Sequence, residues 1–414
     1  MSGQTILNGE SFPIVGWAGP SGEMLRPDVM RGMAEAGFTV SHSGVSGGVD
    51  ELRRALDIAA EGGIKLLIVH NAWHVSDDYK LDDERKALVR SLVEAIRDHP
   101  ALYGYHLRDE PHYSLLPQLA EVHTFMRELD DYHALYINHF PPIEGWGAPT
   151  AEAFWYRYIE ITHPQFLSYD HYAITIVTAD ELRAHQGEPN VFPEEKILIK
   201  PDYFDCLELL RQLSLASHLP FWAFACSVRH GAYPTPTEGH IRWQMMNNLA
   251  YGAQGLQYFT YAHDSAMVRP DGSTTPTWEL ARRVNHDVHQ LAPVLRQLHN
   301  IGTFRTGALW SGTRSLHNSH RRPLIDCEGD PVTIGYFTGP DEQIYFMVVN
   351  GNPFSWSRVT LKVNMDKDKL YVFNHNDGAF RVLWPPDPHN QLVTLAPGEG
   401  RLFKVGGEGL GQNY

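Results

Sequence analysis

At 414 residues, with 43% apolar and 20% charged content, the chain is long enough to bury a large core and to divide into two domains. A formal net charge of −15 argues against nucleic acid or an anionic membrane as partner, since either would need a basic face. Cys206, Cys226 and Cys327 are scattered without a CxxC pair, so neither a disulfide framework nor a thiolate zinc site is indicated.

The amino terminus lacks a basic-then-apolar leader, and no run of about 18 apolar residues occurs. Neither a signal peptide nor a membrane span is expected, and the chain reads as cytoplasmic or as the mature form of a secreted protein. Apolar runs of strand length lie at 12–18, 38–42, 64–70, 101–108, 134–139, 166–171, 220–227 and 255–262. Amphipathic stretches separate them. The clearest is 83–99, where Leu88, Val89, Leu92, Val93 and Ile96 share one helical face. In "AEAGFTV" and "AEGGIKLLIV" a glycine closes a helix just before a strand. Eight strand–helix pairs within about 300 residues predict a (β/α)8 barrel. An open doubly wound sheet is the alternative, disfavoured because no glycine-rich phosphate turn follows the first strand.

Residues 173–200 interrupt this spacing after the sixth strand and predict a lid or wall of a pocket. From residue 301 the helical period disappears. "TIGYFTG", "QIYFMVVNG", "RVTLKVN", "KLYVFN" and "RLFKVG" read as strands between Gly, Asn, Asp and Pro turns, an all-β sandwich. The expected division is therefore a catalytic barrel over 1–300 and a β-sandwich over 301–414, with the tail "GGEGLGQNY" frayed.

A parallel barrel places its active site at the carboxyl ends of its strands. Those ends carry Trp17; His42; His70, Asn71 and Trp73; Arg108, Asp109 and Glu110; Asn138 and His139; and Asp170, His171 and Tyr172. The last two carry Trp222, Cys226, Ser227, Arg229 and His230, then Tyr261, His263 and Asp264. Packing alone rarely demands such a rim of acids, indoles, phenols and imidazoles. Glycoside cleavage needs one carboxylic acid to protonate the leaving oxygen and a second carboxylate near the anomeric carbon. Glu110, in "HLRDEP", fits the acid, with Asp109 raising its pKa and Arg108 lowering it. Asp170 is the preferred second carboxylate and Asp264 the next. Asp109, Asn71, His42, His139, His230, Tyr172, Tyr261 and the indoles Trp17, Trp73 and Trp222 are the expected sugar contacts. The bland alternatives are a solvated strand exit for the hexapeptide and ordinary barrel packing for the indoles.

With 23 histidines, a metal-dependent barrel hydrolase is a rival. Its first strand lacks HxH, and "HNAWH" (His70, His74) lacks the glutamate of HExxH, so no metal or cofactor is expected. "HPALYGYHLRDEP", "LPFWAFACSV" and "PTPTEGHIRWQMMNNLAYGAQGLQYFTYA" resemble the barrel of clan A glycoside hydrolases, nearest the β-galactosidase-like members with DEP in strand four. The resemblance covers residues 12–298. It implies Glu110 as acid/base and Asp109 in place of the asparagine that contacts a sugar hydroxyl. It also implies a nucleophile glutamate at the end of strand seven, where this chain reads "FWAFACSV" with no acid. Glu238 is the nearest, but Thr235-Pro236-Thr237-Glu238 reads as a capping box with proline at the first helical position. The expected function is cleavage of a β-linked oligosaccharide or glycan, with exo action favoured by the 173–200 insert. A glycan-binding barrel that has lost its nucleophile is the alternative. The expected partner is carbohydrate, and a homo-oligomer is left open.

Overall fold

The computed structural model describes residues 5–9, 11–318, 324–340, 343–364, 369–383 and 389–406; of the tail expected to fray only Gly406, which ends the last strand, is among them. In chain order the first half runs β1 (Ile14–Gly16), α1 (Pro27–Glu35), β2 (Val40–Gly44), α2 (Val49–Gly62), β3 (Lys65–Val69) and α3 (Asp83–Ile96). It continues through β4 (Leu102–Asp109), α4 (Leu116–Leu129), β5 (Ala134–Asn138), α5 (Ala151–Thr162) and β6 (Leu167–Tyr169). An insert of β7 (Ile174–Ile176), α6 (Ala179–Ala184), β8 (Val191–Phe192) and β9 (Ile197–Ile199) follows. Then come α7 (Tyr203–Ser217), β10 (Phe221–Cys226), α8 (Glu238–Ala250), β11 (Gly255–Phe259) and α9 (Pro276–Leu295).

Eight strands pair in parallel in the order β5-β4-β3-β2-β1-β11-β10-β6. His139 and Tyr169 bridge β5 to β6, with the His139 N–H donating to Ser168 O at 3.0 Å, so the sheet closes on itself. Each strand is followed in the chain by a helix, giving the (β/α)8 barrel. Glycines end α1 and α2 as the sequence predicts: Gly37 and Gly63 take φ of 80° and 76°, left-handed values that suit a residue without Cβ. The helix expected over 83–99 stops at Ile96, and Asp82 caps its start by accepting from the Arg85 N–H at 2.9 Å.

The described residues gather into two compact units, one within 1–171, 212–228 and 255–282, the other within 172–211, 229–254 and 283–414. The first holds all eight barrel strands. Its interior is filled by Trp17, Tyr136, Phe166, Trp222 and Phe224, whose rings meet between about 4 and 6 Å.

The second unit contains the strands after α9: β12 (His299–Arg305), β13 (Leu324–Gly329), β14 (Val332–Thr338), β15 (Ile344–Asn350) and β16 (Ser357–Val363). It ends with β17 (Lys369–Asn374), β18 (Ala379–Val382), β19 (Asn390–Leu395) and β20 (Gly400–Gly406). A six-stranded sheet, β12-β14-β15-β20-β17-β18, and a three-stranded sheet, β13-β16-β19, share a core built on Ile334, Phe346, Val348, Leu361, Leu395 and Phe403. This is the sandwich the alternating strands predict. The same unit holds the 173–200 insert, which folds as its own antiparallel sheet, β7-β9-β8.

Candidate active site

The geometry of the site begins with one extra residue in β4. His106 pairs with Tyr136, but Arg108 pairs with Ile137 and Asp109 with Asn138, so Leu107 is a bulge. Side chains alternate along a strand, and Tyr136 and Asn138 share the inward face. The bulge therefore puts both His106 and Asp109 on that face, three residues apart. Arg108 is turned off it and donates to Val75 O at 2.9 Å and to Asp77 at 3.1 Å.

Glu110 follows with φ of 44°, a left-handed value for a residue with a side chain, and its N–H donates to Asn138 O at 2.9 Å. Burial, then the neighbouring Asp109 carboxylate, push the Glu110 carboxyl up to about 7, while a hydrogen bond with the Asp170 side chain pulls it back. Two carboxyl groups in hydrogen-bond contact hold a proton between them. Glu110 and Asp170, from β4 and β6, are thus brought together. Burial raises Asp109 as well, against the Asn138 amide and Arg108, which both lower it. Arg108 consequently acts on Asp109, not on Glu110 as the sequence suggests.

Asp109 is anchored from below. Asn138 Nδ2 donates to its Oδ1 at 3.1 Å, and Ser168 Oγ donates to Asn138 Oδ1 at 2.9 Å. Gln257 Nε2 donates to Ser168 at 2.9 Å, and Tyr136 OH donates to Gln257 Oε1 at 2.6 Å. This chain of buried polar groups ties β4, β5, β6 and β11 beneath the acids. Sequence reasoning missed Ser168, Gln257 and Tyr136. Ser168 lies two residues before Asp170, and Tyr136 two before Asn138, so the period of a strand was the available signal.

On the opposite inner wall, the Trp17 indole lies flat on His42, with centroids 3.7 Å apart and planes 5° apart. The Ala18 N–H donates to His42 Nδ1 at 3.4 Å, which assigns the proton to Nε2, and that proton faces His106 Nδ1 at 2.5 Å. Burial and then the neighbouring His74 lower His42 to about 3. His106 is likewise held far below the usual range, so the pair is neutral. One face of Trp17 is therefore already covered.

The other expected contacts have the following surroundings. Trp222 is 1% exposed, stacked on Phe166 at 4.2 Å and deeper in β10 than Phe224. Trp73 donates its indole N–H to Ile68 O at 3.2 Å and packs edge-on to Tyr105. His139 is outward by the alternation that turns Asn138 inward; it is buried against Trp155 and Tyr158 of α5, and burial lowers it to about 3. Tyr261 is buried edge-on to Phe38. Asn71 and Asp264 are exposed. Tyr172 and His230 belong to the second unit, where Tyr172 meets His230 and Tyr233 edge-on.

β10 ends in buried Cys226, followed by buried Ser227, with no carboxylate. Glu238 is the first residue of α8, not the third: Thr237 is the cap and accepts from the His240 N–H at 3.2 Å, two residues later than expected. The Glu238 carboxylate is paired with Arg242 and, at 3.1 Å, with Arg283. Among the described residues no three His, Cys, Asp or Glu side chains gather as metal ligands, and no helix is long and apolar enough to cross a membrane. His70 of "HNAWH" instead contacts Gly47 O at 3.1 Å and accepts from the Ala72 N–H.

No protein-family model matches the chain, and no curated protein matches it in sequence. Among solved structures it is similar to a β-galactosidase from the psychrophilic Marinomonas ef1, at 12% identity and a TM-score of 0.48, over 68% of this chain and 60% of that one. It is also similar to the exo-β-1,4-mannosidase Op5Man5 from Opitutaceae bacterium strain TAV5, at 13% and 0.47, over 70% and 62%. A third is the catalytic domain of GH30 xylanase C from Talaromyces cellulolyticus, at 11% and 0.46, over 95% and 96%. The chain thus spans about three fifths of the first two proteins' lengths.

Proposed function

We propose that the chain is a glycoside hydrolase cleaving a β-linked oligosaccharide or glycan, with Glu110 as the general acid. The observation that carries this is a half-buried carboxyl at the C-terminal mouth of a (β/α)8 barrel, raised to about 7 and touching a second carboxyl. Such a group still carries its proton near neutrality and can give it to a leaving oxygen. Asp170 is the proposed second carboxylate. Working separations are about 5–5.5 Å for a nucleophile and about 6.5–9.5 Å for a water-activating base. Glu110 and Asp170 are hydrogen-bonded to each other, so the glycosidic oxygen would have to enter between them and replace that bond. Asp109, fixed by Asn138, would accept a sugar hydroxyl.

Replacement of Glu110 by Gln should lower kcat by roughly 10²–10⁴-fold on an aryl β-glycoside with the fold retained. Turnover near wild type would remove the assignment. Exo action is the reading of the long insert, and the lengths of the first products from a β-linked oligosaccharide decide it. The acid-free end of β10 and the closed carboxyl pair favour one second reading, a barrel that binds glycans without cleaving them. Calorimetric binding without release of reducing ends would establish it.

A further inference from the structure

Outside the barrel strands, the second unit holds a cavity of about 110 Å³ lined by Phe192, Arg305, Trp310, Asp330, Trp356 and Ser357, among others. Arg305 closes β12 and is 3% exposed. Its guanidinium lies 4.0 Å from the Trp310 ring, and its Nη1 reaches Thr333 Oγ1 at a long 3.4 Å. Its Nε has no acceptor, and neither has the Trp310 indole N–H. Among the described residues it meets no carboxylate, and Tyr251 is the group that favours its charge. Asp330 stands on the same cavity, but one of its oxygens is taken by the Arg358 N–H at 2.7 Å.

A buried cation without a counter-ion is costly, and folds rarely keep one unused. The guanidinium fork matches the two oxygens of a carboxylate, and the neighbouring indole N–H adds a third donor. At the rim Trp356 is 65% exposed, a bare indole face of the kind that stacks on a pyranose ring. Asn352 braces the turn that presents it, accepting from the Phe354 and Ser355 N–H groups at 2.8 and 3.1 Å. The volume holds several water molecules, enough for a carboxyl group and the ring edge that carries it.

We propose that this cavity is a binding subsite for an acidic sugar, its carboxylate on Arg305 and Trp310 and its ring against Trp356. A neutral sugar would fill the space and leave the guanidinium uncompensated. The site is independent of hydrolysis at Glu110.

The test uses the full chain carrying Glu110→Gln, so that catalysis plays no part, with methyl β-glucuronide and methyl β-glucoside titrated by calorimetry and tryptophan fluorescence. The glucuronide should bind about ten-fold or more tighter than the glucoside. Trp356→Ala, at an exposed position, should weaken binding of both sugars by removing the stacking face, and Arg305→Lys should weaken glucuronide binding about ten-fold by removing the fork. If Arg305→Lys does not fold, the sugar comparison and Trp356→Ala still decide. Equal affinity for the two sugars, no binding of either, or glucuronide binding unchanged in Trp356→Ala would overturn the site.

Discussion

Glu110 combines three unfavourable features: a left-handed backbone with a side chain attached, partial burial, and the like charge of Asp109 beside it. Strain and like charge concentrated in one residue are commonly retained for chemistry. Its folded carboxyl is raised to about 7 from an ordinary 4.5, so ionising it costs the folded state and not the unfolded one. Stability is fully present below about 4.5 and is lost as pH rises through about 7. Glu110→Gln removes this penalty, so its melting temperature should exceed that of wild type at pH 8 and come close to it at pH 4.5. Equal offsets at the two pH values would show that Glu110 is not raised. Activity that depends on the protonated acid should fall over the same range, with the limb near pH 7. A flat profile from pH 6 to 9 would separate the proton from the rate.

The bulge at Leu107 decides which way a whole strand end faces. Read with an unbroken period of two, "HLRDEP" puts His106 and Arg108 inward and Asp109 outward. The extra residue reverses the last two, and nothing in the local sequence announces it, because bulges arise from pairing with the neighbouring strand. The same alternation explains His139. The strand was legible, but which of Asn138 and His139 faces the barrel depends on a register fixed by tertiary contacts. The eight apolar runs, by contrast, could be read directly, since each is bounded by glycine, proline or a polar turn. Asn138 now carries the link between strands, with its amide on Asp109 and its carbonyl on Ser168. Asn138→Leu leaves a part-buried carboxylate and a buried hydroxyl without these partners and should cost about 1–3 kcal/mol in urea denaturation. The loss should be larger at pH 8 than at pH 3, because the Asn138 amide favours the ionised form of Asp109. A loss independent of pH would mean that Asn138 serves packing alone.

Across the molecule, the histidines supply a common response to acid. Their number is visible in the sequence, but their burial is not. The same holds for the second unit, which gathers residues distant in the chain. Burial lowers His42, His123 and His139 to about 3 and His240 to about 4. Each takes up a proton near 6.5 once unfolded. The folded pKa is depressed, so this stabilisation is whole above about 6.5 and is lost progressively as pH falls towards 3. The raised carboxyls Glu110 and Asp109 partly offset it, because they bind protons in the folded state first. His123 isolates one contribution. It sits on α4, 2% exposed, with burial the main cause of its shift and Arg127 and His163 adding to it. His123→Met keeps an apolar side chain of similar reach and removes the proton site. Between pH 6 and pH 4 its stability should gain on wild type by about 1.4 kcal/mol per pH unit, one proton's worth. Urea denaturation of both proteins across that range measures the slope, and parallel curves would mean that His123 takes up its proton in the folded protein.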